Sequence, residues 1–137
     1  MNYIFLLLIS ILLITSGCGH VTEVSKTVWG SSTRALETSR DDAPTQSFAC
    51  SFEKCYDEVL SFAQAEGYVV FQERKAEKLL VLMGVPKSVD TTEVGIFFTA
   101  VGPEETKLEV ASLSSYAEEI VSDAFFSQLE KFYEVIE

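Results

Sequence analysis

Leu79-Leu80-Val81-Leu82-Met83 is the stretch that decides how this chain folds. It is apolar at every position. A strand with one solvated face alternates apolar and polar side chains, whereas a strand covered on both faces reads as a continuous apolar run. Turn formers bound the run, Lys75-Ala76-Glu77-Lys78 before it and the loop from Pro86 after it, so it is too short for an ordinary helix. Ile96-Phe97-Phe98 is apolar on both faces in the same way. Both segments predict central strands of a sheet whose second face is either covered or left as a modest exposed apolar patch.

The neighbouring sequence supplies the rest of that sheet. Tyr68 to Arg74 and Leu79 to Val85 flank the turn at 75–78. Thr92 to Val101 and Lys107 to Leu113 flank Gly102-Pro103-Glu104-Glu105-Thr106. Both pairs are rich in β-branched and aromatic residues and read as hairpins. A short first strand is expected from Gln46 to Cys50. Ser51 then reads as an N-cap, with Phe52, Cys55, Val59, Phe62 and Ala63 at helical spacing and Gly67 as the left-handed stop. Ser115 with Glu118 has the form of a capping box, opening a helix expected to run to the C-terminus. Its apolar face would be Ala117, Ile120, Val121, Ala124, Phe125, Leu129, Phe132 and Ile136.

The expected order is β-α-β-β-β-β-α. This makes an α+β fold, an antiparallel sheet of four to five strands with two helices on one face. That element order resembles helix-grip or TATA-binding-protein-like modules, including those in the C subunit of the bacterial outer-membrane β-barrel assembly machinery. The resemblance implies a fold and assigns no activity.

The N-terminus is organised differently. Tyr3 to Ile14 is apolar except for Ser10. At about 1.5 Å per residue this is far short of the roughly 30 Å hydrocarbon core, so the run has the length of a signal-peptide core and not of a span. Thr15-Ser16-Gly17-Cys18 follows. It resembles the lipobox of bacterial lipoproteins, with Ser16, Gly17 and Cys18 on its last three positions and Thr15 where the family usually has an aliphatic residue. The resemblance implies removal of residues 1–17, acylation of the Cys18 thiol, and attachment to a membrane through the acyl chains. Gly19, in place of Asp, implies sorting to the periplasmic face of an outer membrane. Residues 18–44 are expected as a tether and 45–137 as the folded domain. Within the tether, Ser31 or Ser32 could cap a short helix running to about Arg40. Trp29 and Leu36 are its apolar residues with a potential docking role, because aromatic anchors are enriched at interfaces.

Charge and residue inventory limit the function. Asp and Glu number 21 against 10 Lys and Arg, giving a net charge of −11. Nucleic-acid binding depends on cations that neutralise phosphates, so no nucleic-acid partner is expected. The one histidine, His20, sits two residues from Cys18, and the folded domain has none to activate Ser114 or Ser115. No Cys/His spacing fits zinc and no calcium loop spacing is present. No metal, cofactor or catalytic residue is therefore expected, and the chain does not read as an enzyme. Two function classes remain. One is a non-catalytic binding or assembly module that recruits an envelope protein or a second copy. The other is a carrier of a small apolar ligand in a helix–sheet cleft lined by Phe97, Phe98, Phe125 and Leu82. In the first class, the sheet face away from the helices is covered by the linker, a second copy or a partner, and whichever of Phe97 and Phe98 points there is the docking residue.

Lipidation of Cys18 leaves a pair of cysteines, Cys50 and Cys55. With Ser51 as N-cap they occupy the two positions that meet in a hydrophobic staple, which brings them within disulfide range. Export would allow the bond to persist.

Overall fold

The apolar run is a central strand. In the computed structural model, which describes residues 33–137, Leu79–Met83 pairs on both sides within a six-stranded antiparallel sheet. The predicted signal peptide (1–17), Cys18, His20, Trp29, Ser31 and Ser32 lie outside the described residues. In chain order the elements are β1 (Thr45–Phe48), α1 (Phe52–Ala65), β2 (Val69–Arg74), β3 (Leu79–Met83), β4 (Glu93–Gly102), β5 (Glu105–Ser112), α2 (Ser115–Glu130) and β6 (Val135–Ile136). Residues 33–38 are helical and tighten into a 3-10 turn at Ser39–Asp42. The strands lie in the order β2-β3-β4-β5-β1-β6. The α+β class and the antiparallel sheet are as expected.

Local chemistry sets the boundaries. Helix α1 ends in a Schellman motif: Tyr68 N–H donates to the Ala63 carbonyl (2.9 Å) and Gly67 N–H to that of Gln64 (3.3 Å). Gly67 has φ +80°, the left-handed conformation such an ending needs. The β4–β5 hairpin closes through Pro103-Glu104, with Gly102 opposite Glu105.

Three details differ from the sequence reading. The Ser51 hydroxyl makes no capping bond, and its backbone carbonyl instead accepts from Cys55 N–H (3.0 Å). The N-cap of α2 is Ser114, one residue earlier than the predicted box, and its hydroxyl accepts from Ala117 N–H (3.2 Å). Glu118 reaches back to Ser112 N–H (3.3 Å), a donor outside the helix. Helix α2 stops at Glu130, and Val135 and Ile136 form a sixth strand against β1. There the outer edge of β1 offers backbone partners, with Ala49 N–H donating to Glu134 O (2.8 Å), and β-branched residues favour the extended form. Phe132, expected on the helix's apolar face, is exposed.

The alternation of β3, β4 and β5 divides two cores. Leu80, Leu82, Val94, Ile96, Phe98, Leu108 and Val110 face α1 and α2 and pack on Tyr56, Val59, Val121, Phe125 and Leu129. Leu79, Val81, Phe97 and Ala111 face the other way. One compact unit runs from Ala35 to Glu137. Residues 35–44, expected as tether, therefore belong to the folded unit, because they cover that second face.

Candidate docking face

The second face is built from alternate residues of three strands and is capped by residues 35–43, which act as a strap. Leu36 of the strap is 2 % exposed and lies on Leu79, Val81, Phe97 and Ala111, with Ala43 at the margin. One helical turn on, the Arg40 guanidinium sits 4.3 Å from the centre of the Phe97 ring. Its Nη2 donates to Glu109 Oε2 at 2.7 Å. Ser39 Oγ donates to the Leu36 carbonyl (2.8 Å), which closes the turn between the two anchoring residues.

Gly95 makes room for this packing. A β-carbon there would lie 2.8 Å from Phe97 Cε2 and 3.4 Å from Leu36 Cδ1. Two residues along β4, the Phe97 ring folds back over the glycine, and the strap seats on both. A glycine within a strand commonly marks such a close approach.

Glu109 is the one carboxylate among the described residues buried to below a tenth of its surface. An unpaired charge there would be costly. Besides Arg40 it has Lys107 Nζ at 3.6 Å, on its own strand and independent of the strap. Among the contacts that hold the strap are one buried leucine, one cation–π contact of about 0.5–2 kcal/mol and the Arg40–Glu109 ion pair. The principal core has rings packed on rings, among them Tyr56–Phe98 (5.1 Å between centroids) and Phe62–Phe125 (5.0 Å).

Of the predicted docking residues, Leu36 and Phe97 come together, face to face. Phe98 does not join them: it points into the principal core, 6.0 Å from the Phe52 ring and 5.1 Å from that of Tyr56. Adjacent residues on one strand face opposite sides. The cleft expected from Phe97, Phe98, Phe125 and Leu82 therefore does not form, since Phe97 lies across the sheet from the other three. Arg40, Glu109 and Gly95 escaped the sequence reading. Glu109 carried a signal, a charge within the apolar series Leu108–Ala111 that needs a cation if that face is buried. Arg40 carried another, one helical turn after Leu36.

Cys50 and Cys55 are joined as a disulfide, with their Cα atoms 5.9 Å apart and exposures of 1 % and 0 %. The bond spans the corner between β1 and α1. Beside it, Thr106 Oγ1 donates to the Cys50 carbonyl at 2.9 Å, which ties the corner to β5.

Two further polar clusters lie away from this face. Lys75 Nζ is 2.7 Å from both Asp57 and Glu53, and the bonds to Asp57 and then Glu53 push its pKa well up. This holds it as a cation 5.2 Å from the Tyr56 ring centre. Burial, followed by the field of Glu73, pushes the Tyr56 phenol up to about 12. Its hydroxyl is buried and has no hydrogen-bond partner among the described residues. Asp90 accepts from Ser114 Oγ (2.6 Å) and Thr92 N–H (2.9 Å), and these bonds hold its carboxyl below the usual value. They pin the β3–β4 loop to the start of α2. No group of His, Cys, Asp and Glu among the described residues could hold a metal ion. Among those residues no helix is long and apolar enough to cross a membrane.

No family model matches this sequence, and no curated protein matches it.

Proposed function

We propose that this chain is a lipid-anchored protein of the bacterial cell envelope that acts by binding and not by catalysis, recruiting an envelope protein to the membrane. The anchoring part rests on Thr15-Ser16-Gly17-Cys18 at the end of a short apolar run. Each buried methylene contributes about 0.8 kcal/mol, so the two or three acyl chains of a processed lipoprotein hold it firmly without a spanning helix. The periplasmic face of an outer membrane is the location that Gly19 favours.

The binding part rests on one observation: a second apolar surface, apart from the principal core, that a short strap covers. A sheet of this size already has its core on the helical side. The apolar residues Leu79, Val81, Phe97 and Ala111 on the other side add a surface that recognition can use.

The experiment is recovery of a partner from membranes after mild crosslinking. Phe97→Glu removes the ring on which Leu36 and Arg40 both pack and puts a charge on the apolar face. It is expected to abolish recovery while the domain stays folded by circular dichroism. Undiminished recovery of the same partner would remove this face from the function.

A further inference from the structure

The strap shows what the second face is built to accept. It offers an aliphatic side chain to the hollow formed by Gly95 and the Phe97 ring, and a guanidinium one helical turn later to Glu109. We propose that the strap is a stand-in ligand. The face beneath it takes, in trans, a short helical segment of another protein that carries an aliphatic residue and an arginine four positions on. This rests on the binding function proposed above and names the chemistry of its partner.

Three features of the molecule support the exchange. First, the covered strands do not depend on the strap for their ladder: β3, β4 and β5 are paired to one another throughout. Lifting the strap leaves the sheet whole. Second, Glu109 keeps Lys107 at 3.6 Å when Arg40 departs, so the buried carboxylate is never without a cation. An entering arginine then restores the short bond. Third, the strap ends at Ala43 in extended backbone, just before Pro44, whose carbonyl accepts from Val110 N–H at 3.0 Å. That bond fixes the point beyond which the chain stays in the sheet, so residues before it can leave while β1 remains.

The strap also sets a threshold. An attached segment competes at an effective concentration in the millimolar range for a short flexible connection. A partner must exceed this through better contacts or through its own concentration at the membrane. The strap thus keeps Phe97 covered until such a partner arrives.

The test uses the full chain in detergent and a fluorescent peptide of its own sequence, residues Thr33–Ala43 (TRALETSRDDA). In the double variant Leu36→Asp, Arg40→Ser the attached strap is disabled. This variant is expected to bind the peptide at least tenfold more tightly than the parent. Adding Glu109→Lys should abolish that binding, and a peptide with Glu at position 40 should restore it. Charge-reversal rescue distinguishes a specific seat from general stickiness, and circular dichroism establishes that each variant is folded. Equal binding by the parent and the double variant, or binding indifferent to Glu109→Lys, would overturn the proposal. So would a parent dimer that Arg40→Glu dissociates, since the face would then belong to a second copy. The peptide assay makes no use of acylation, so its failure leaves the anchoring proposal standing.

Discussion

Leu36→Ala separates a strap from a structural element. Leu36 is 2 % exposed, and its side chain is the strap's principal apolar contact with the sheet. Truncation removes apolar carbons contributing about 0.8 kcal/mol each, or about 2.4 kcal/mol in all. If the strap opens independently, this falls on its own opening equilibrium, and about 1.4 kcal/mol per tenfold makes the open form about fiftyfold more populated. Trypsin cleavage after Arg40 under native conditions reads that population, because cleavage follows the open fraction when reclosing is fast. The expected result is a rise of about fiftyfold in the cleavage rate. Global stability from urea unfolding should fall by no more than that same amount, about 2.4 kcal/mol, since the loss is capped by what the Leu36 contact contributed. Phe98→Ala, in the principal core, should instead cost about 3–5 kcal/mol globally. An unchanged cleavage rate together with a global loss as large as that of Phe98→Ala would refute the reasoning, because the strap would then unfold only with the whole domain.

Three other expectations concern single contacts. Gly95→Ala forces the Phe97 ring away from a β-carbon 2.8 Å distant, and should raise cleavage after Arg40 much as Leu36→Ala does. Cys50 and Cys55 should resist thiol labelling in the unreduced, denatured protein, and Cys55→Ser should cost about 2 kcal/mol, less than the figure for a fifteen-residue loop. The Tyr56 phenol should ionise near pH 12 in the folded state, against 10 when unfolded. The buried neutral form therefore supports the fold fully below pH 10, and that support is lost between pH 10 and 12, seen as a base-induced unfolding that Tyr56→Phe delays.

The two hairpins of the sheet were legible because their strands carry local signatures: an unbroken apolar run for β3, alternation for β5, and turn chemistry at 75–78 and 102–106. The stop of α1 was legible in Gly67 for the same local reason. What escaped were features set by distant parts of the chain. The end of α2 depends on an open edge of β1, which no local pattern around Lys131–Glu137 reveals. The shift of the cap from Ser115 to Ser114 depends on Asp90, which approaches from the β3–β4 loop and accepts from the Ser114 hydroxyl. Of the docking face, the sequence displayed the surplus of apolar residues in β3 and β4 and the leucine of the strap. It did not display which element covers them, because strap and sheet meet only across the fold. Phe97 and Phe98 look alike in sequence, and only the placement of the helices separates the ring on the second face from the ring in the principal core.

Membrane attachment through Cys18 is the claim on which the proposed function stands, and intact-mass spectrometry of the protein extracted from membranes tests it most directly. The expected mass is that of residues 18–137 with two or three acyl chains on the new N-terminal cysteine, and Cys18→Ala should leave the chain unprocessed or released. A mature protein that retains Met1, or one that begins at Cys18 with no acyl chain, would contradict it.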